Sequence, residues 1–153
     1  MNINFIIPCF NEEEILFDSI KYLIDKLEKN EHLSKFQITL IDDGSKDDTW
    51  KIIKNLHDED NRIKGIKFLK NFGHLAALNA GFKENNYEYV LMLDADFMIE
   101  FPKNMVDNLI EEMNTNEYDI VQVARDKYHS SFFKTSTSDL FYLVFNFISN
   151  VKI

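Results

Sequence analysis

Two aspartates separated by one alanine, Asp94 and Asp96, interrupt the stretch "YVLMLDADFMIEFP" at residues 89–102. Aspartate is poor in strands and costly to bury, so a pair at the end of an apolar run asks for a reason. On an extended chain, residues i and i+2 project to the same side. Two carboxylates placed that way can bind a hard divalent cation, directly or through water. Such an ion bridges the oxygens of a diphosphate and neutralises a leaving diphosphate as a bond breaks. One aspartate would suffice to end a strand, so the second is the functional signal.

Three other polar clusters ask the same question. Asn11-Glu12-Glu13-Glu14 reads first as capping, with Asn11 as N-cap and Glu14 three residues on. Three acids exceed what a helix start needs, which leaves Glu12 to face a ligand. In Asp42-Asp43-Gly44-Ser45, Asp-Gly is turn chemistry, and Ser45 with Asp48 makes a capping box. Two adjacent aspartates remain, and one could accept from the imide N–H of a uracil or from a ribose hydroxyl. Asn71-Phe72-Gly73-His74 precedes a helix of small residues. Gly73 permits close backbone approach, and a helix N-terminus can receive a phosphate. His74 alone reads as a solvated or capping residue rather than a catalyst.

The elements that must position these clusters follow from the apolar spacing. Short apolar runs at residues 3–8, 36–43, 63–70, 87–94 and 118–124 read as strands. Between them lie amphipathic segments; Ile15, Leu16, Ile20, Leu23, Ile24 and Leu27 have helical spacing. Further helices are expected over 47–60, 75–84 and 102–114, with Pro102 suited to a first turn. Strand alternating with helix predicts an α/β fold, a mostly parallel sheet with helices on both faces. All four clusters then follow strand carboxyl ends, where open α/β sheets bind ligands.

Composition narrows the classes. A length of 153 residues suits one domain with a sizeable core. The net charge of −9 argues against nucleic acid but not against a phosphate ligand, because a metal ion can reverse the local sign. A single cysteine, Cys9, excludes an internal disulfide and is compatible with a reducing compartment. No signal-peptide pattern and no run of 18 apolar residues is present.

Together, "IIPCFNEEE", "IDDGSKDDT", "NFGHLAALNAGF" and "LMLDADFMIEFP" resemble family-2 glycosyltransferases of the GT-A, Rossmann-like fold. The nearer likeness is to the enzymes that move a sugar from a nucleotide sugar to a polyprenyl phosphate, the dolichyl-phosphate mannose synthases and bactoprenol glucosyltransferases. The resemblance implies that Pro8, Phe10 and Glu12 line the nucleoside pocket, and that Asp43 binds the base with Asp42 beside it. Asn71, Gly73 and Ala95 are expected in the same nucleotide site. Asp94 and Asp96 would hold Mg²⁺ or Mn²⁺, and Arg125 would lie near the phosphates or the acceptor. Residues 1–130 would form the nucleotide-sugar-binding domain, and 131–153 would begin an acceptor- and membrane-proximal helical segment. The implied partners are a UDP- or GDP-sugar, a polyprenyl phosphate and the cytoplasmic face of a membrane, with a homo-oligomer as an alternative use of the apolar 131–153 segment.

The pattern departs from the family at Met98, where Gln is frequent, and at "IEFP". It also stops before the Gly-Asp-Phe-Arg-like motif and the transmembrane helices usual in that subgroup. The chain is therefore expected to be a truncated catalytic domain, soluble and cytoplasmic as a fragment. Two rivals stand beside this reading. A nucleotidyltransferase would want a Gly-rich basic first loop, whereas this one is acidic. A non-catalytic nucleotide-sugar-binding or assembly module is the other.

Overall fold

The computed structural model describes residues 1–96, 104–115 and 118–123. Arg125, Met98, Pro102 and the 131–153 segment lie outside the described residues. Met1–Val121 forms one compact unit. Its strands are β1 (Asn2–Cys9), β2 (Lys35–Asp42), β3 (Ile63–Lys67) and β4 (Tyr89–Met92). The helices are α1 (Leu16–Glu28), α2 (Thr49–Glu59), α3 (His74–Lys83) and α4 (Met105–Thr115).

Each strand pairs in parallel, in the order β3-β2-β1-β4. The chain steps outward from β1 through β2 to β3, then crosses back to place β4 on the other side of β1. That reversal makes a switch point between β1 and β4, where strand-end loops diverge and leave a crevice. The expected α/β sheet with parallel strands is present.

Strand alternation sorts the side chains onto two faces. Phe5, Ile7, Ile38 and Leu40 share one core with Leu16, Ile20, Leu23 and Leu27 of α1, Ile53 and Leu56 of α2, and Val106 and Ile110 of α4. The opposite face is smaller: Ile6 and Ile41 pack with Ala77 of α3, flanked by Ile66, Phe68, Leu78 and Val90. At Gly81 a Cβ would lie 2.5 Å from Ile6 Cγ2, so α3 rests close on the sheet because it presents a glycine there.

Residues 118–123 do not form the expected fifth strand. Tyr118 and Ile120 are exposed instead of facing a core. Apolar periodicity supplies one face of a strand, but a strand also needs a ladder partner, and these residues make none among the described ones. No helix among the described residues is long and apolar enough to cross a membrane.

Gly44 ties the sheet edge together. It has φ +72°, and a Cβ there would lie 2.3 Å from the Lys70 carbonyl carbon and 2.6 Å from the Asn71 nitrogen. The loop after β2 thus touches the backbone of the loop after β3. Gly44→Ala combines left-handed strain with a backbone clash and is expected to cost roughly 2–4 kcal/mol. Urea unfolding checks this; an unchanged midpoint would show that the two loops separate freely.

Candidate functional site at the strand carboxyl ends

The loop after β1 is built by its neighbour rather than by α1. Asn11 has φ 58°, a conformation that asparagine tolerates better than most residues. Its backbone N–H donates to Ser45 Oγ at 3.0 Å, and its side-chain oxygen accepts from the Lys46 N–H at 2.9 Å. Asn11 is therefore not an N-cap, and α1 starts later, after Ile15, without a side-chain cap. The Glu12 N–H donates to Thr49 Oγ1 at 2.8 Å. Glu13 donates its N–H to Asp47 and accepts from the Asp48 N–H. Five hydrogen bonds thus lace the first loop to the second.

The second loop departs from the expected capping box. Ser45 donates its N–H to Asp42 Oδ1, and its hydroxyl oxygen accepts from the Asn11 N–H. Asp47 takes the capping work, accepting from the Thr49 N–H at 3.1 Å and from the Thr49 hydroxyl at 2.6 Å. Burial acts to raise the Asp47 carboxyl, but the bonds from Thr49 and from the Glu13 backbone outweigh it and hold the carboxyl below its ordinary range.

The adjacent aspartates part company. Asp42 is fully buried, and its Oδ2 has no hydrogen-bond partner. Its work is to shape the turn, and it does not open onto solvent. Asp43 is also buried, and its two oxygens accept from the Phe72 N–H at 2.7 Å and the Gly73 N–H at 2.9 Å. This one carboxylate thus ties the middle of the loop after β3 to the end of β2. Gly73 has φ +93° and nothing within 4 Å of where a Cβ would be, so the start of α3 borders open space.

The β4 ladder ends at Met92, and residues 95–96 lie in a turn. Strand alternation is therefore not what groups Asp94 with Asp96; the turn after the strand does it. Ala95 points inward and belongs to the main core, Asp94 is exposed, and Asp96 is half-buried. His74 Nε2, at the first residue of α3, lies 4.0 Å from Asp94 Oδ1. That pairing had only a weak sequence signal, a lone histidine after Gly73.

Electrostatics report the same convergence. Burial raises the Glu12 carboxyl above its ordinary range, and repulsion from Asp96, Asp47 and Asp94 adds to the shift. Glu12 therefore shares a field with both residues of the Asp-x-Asp pair. Burial pushes the Cys9 thiol well above the usual thiol range, with Glu12 and Asp42 adding to it, so Cys9 is a neutral core residue and no nucleophile.

Of the expected site residues, Glu12, Asp43, Gly73, Asp94 and Asp96 are linked around one sheet edge through these contacts and fields. Asn71 is exposed on the Asp43-held loop, Phe10 is exposed and Pro8 half-buried at the end of β1. Asp42 and the Ala95 methyl are interior. A carboxylate set of this kind offers hard oxygen donors, which suits Mg²⁺ or Mn²⁺. Among the described residues no group of three His, Cys, Asp or Glu could hold a metal by itself.

The sequence and the fold have counterparts among known proteins. The pattern of glycosyl transferase family 2 matches residues 4–152. The chain belongs to that family. Among curated relatives, a putative glycosyltransferase, CsbB, of Bacillus subtilis is 35% identical over 94% of this chain and 42% of its own length. A prophage bactoprenol glucosyl transferase homolog of Escherichia coli is 30% identical over 100% of this chain and 49% of its own. The chain thus spans about half the length of the curated relatives it matches. Two solved structures share the fold. S. aureus TarS residues 1–349 with UDP superpose with TM-score 0.57 at 18% identity, over 85% of this chain and 40% of that one. A Pyrobaculum calidifontis mannosyltransferase with GDP-Man and Mn²⁺ superposes with TM-score 0.54 at 18% identity, over 61% and 27%. The fold is accordingly GT-A.

Proposed function

We infer that this chain carries the nucleotide-sugar site of a glycosyltransferase that moves a sugar from a UDP- or GDP-sugar to a polyprenyl phosphate with inversion. The observation that carries the reading is the convergence of four strand ends on one edge, with Glu12, Asp94 and Asp96 in one electrostatic field and His74 beside Asp94. The nucleotides bound by the structural neighbours and the bactoprenol relatives support it.

Asp94 and Asp96 would hold Mg²⁺ or Mn²⁺, and the ion would neutralise the diphosphate that leaves. Glu12, Pro8 and Phe10 would border the nucleoside, with Asp43 and the loop it fixes, including Asn71, on the other side. An acceptor phosphate is already ionised, so no strong general base is needed. The rate would come from positioning and from preorganised charge. Arg125 is proposed near the phosphates or the acceptor. The full-length protein would work at the cytoplasmic face of a membrane.

Calorimetric titration with UDP, GDP and their sugars, with and without Mn²⁺, tests the donor site. One nucleotide should bind at least about tenfold more tightly with Mn²⁺, which corresponds to a single well-made charge contact. Equal affinities with and without metal would reject a metal-assisted diphosphate site.

A further inference from the structure

Besides Asn71, the loop that Asp43 fixes carries large apolar side chains to which the proposed nucleotide site gives no role. Leu69 is 99% exposed, Leu75 76% and Phe72 59%. These side chains stand on one short stretch, from the end of β3 to the first turn of α3. Lone exposed leucines are ordinary, but three large apolar groups together on one loop are not. The stretch is also cationic in an acidic protein. Residues 63–75 contain Lys64, Lys67, Lys70 and His74 and no acid, while the chain as a whole is at −9. Lys64, Lys67 and Lys70 are exposed and have no carboxylate partner among the described residues.

Edge-strand lysines have a plain use, since they discourage sheet-to-sheet pairing. That accounts for Lys64 and Lys67 on β3. Lys67 Nζ also lies 5.4 Å from the Trp50 ring centroid, and Lys70 Nζ 5.2 Å from that of Phe72. Neither use accounts for the exposed leucines beside them. We propose that Leu69, Phe72 and Leu75, rimmed by Lys67 and Lys70, form a lip that docks on an anionic lipid bilayer.

Three features favour a bilayer as the occupant. Apolar tips flanked by lysines match an interface in which anionic headgroups lie above acyl chains. The loop is held in place before it docks, because Asp43 binds the Phe72 and Gly73 N–H groups and Gly44 abuts Lys70. Apolar groups on a fixed loop lose little freedom on insertion. The lip also lies on the same edge as the nucleotide site: Lys67 pairs in register with Asp42, and His74 borders Asp94. Docking there would turn the site toward the membrane surface. That orientation rests on the lipid-phosphate acceptor proposed above, whereas docking itself does not.

Flotation of the whole chain with vesicles, without nucleotide or metal, separates the two ideas. The vesicles would be phosphatidylcholine alone or phosphatidylcholine mixed with phosphatidylglycerol. Binding should be at least about tenfold stronger to the anionic vesicles and should weaken with salt. Leu69→Gln with Leu75→Gln should lower binding about tenfold or more, because each leucine withdrawn from the bilayer counts fully. Lys67→Gln with Lys70→Gln should remove most of the preference for anionic lipid. Both variants should keep the wild-type unfolding midpoint. Wild-type binding that the leucine pair leaves unchanged would overturn the lip, as would no binding at all. Self-association without vesicles, abolished by the same pair, would assign the lip to a second copy and also reject the bilayer.

Discussion

Asp96→Asn is expected to abolish most of the Mn²⁺ enhancement of nucleotide binding while leaving the fold intact. The substitution keeps the size of the side chain and removes its charge. Asp96 is half-buried in a turn after β4 and helps to raise the Glu12 carboxyl. Neutralising it relieves repulsion on Glu12 in the ligand-free protein, and urea unfolding checks that the fold is kept. The loss should appear only when a cation and a diphosphate are both present. Removing a ligand that carries a full charge should weaken metal-dependent binding by about 10- to 100-fold, no less than the loss of a residue that merely orients such a ligand. In a chain competent for transfer, kcat should fall by about 10²- to 10³-fold, comparable to removing one preorganised charge-stabilising group. Calorimetry with and without Mn²⁺ reads the first effect. Equal enhancement in variant and wild type would remove Asp96 from the metal site. Asp94→Asn is the informative companion, because Asp94 also sits beside His74.

How much of this was legible beforehand depended on how local each signal is. The central strands β1 and β2 were plain, because a strand buried on both faces is a continuous apolar run. The site edge was legible for the same reason, since polar clusters ending apolar runs fall at strand ends. The caps are not legible from local composition. Asn11 and Ser45 have the composition of helix starts, yet each bonds to a loop 34 or 35 residues away in sequence. A short polar side chain can serve a local cap or a distant backbone equally well, and only the fold selects between them. The fifth strand failed for a related reason, since periodicity cannot say whether a partner edge is available. The lip was missed because an exposed leucine and a buried one look alike in a sequence.

The two aspartates after β2 show the same limit most sharply, and Asp43 gives the second large effect. Its partners are 29 and 30 residues away, so no local pattern revealed them. Asp43→Ala would leave the Phe72 and Gly73 N–H groups without their acceptor in partly buried surroundings. Each charge-assisted bond lost costs about 1–3 kcal/mol when its partner stays unsatisfied. Water can reach the exposed Phe72 side of the loop and recover part of this. A net loss of about 2–4 kcal/mol is therefore expected by urea unfolding. Asp43→Asn should do little better, since its amide NH₂ would face an N–H donor in place of one oxygen. The nucleotide experiment adds what stability cannot. Each carboxylate oxygen accepts one backbone N–H and has a lone pair to spare, so a base or ribose contact is compatible with the anchoring role. If Asp43 touches the nucleoside, free uridine or guanosine should weaken in the variant along with the diphosphate. If only the diphosphate weakens, Asp43 acts by holding Gly73 at the start of α3, and the nucleoside contact belongs to another residue.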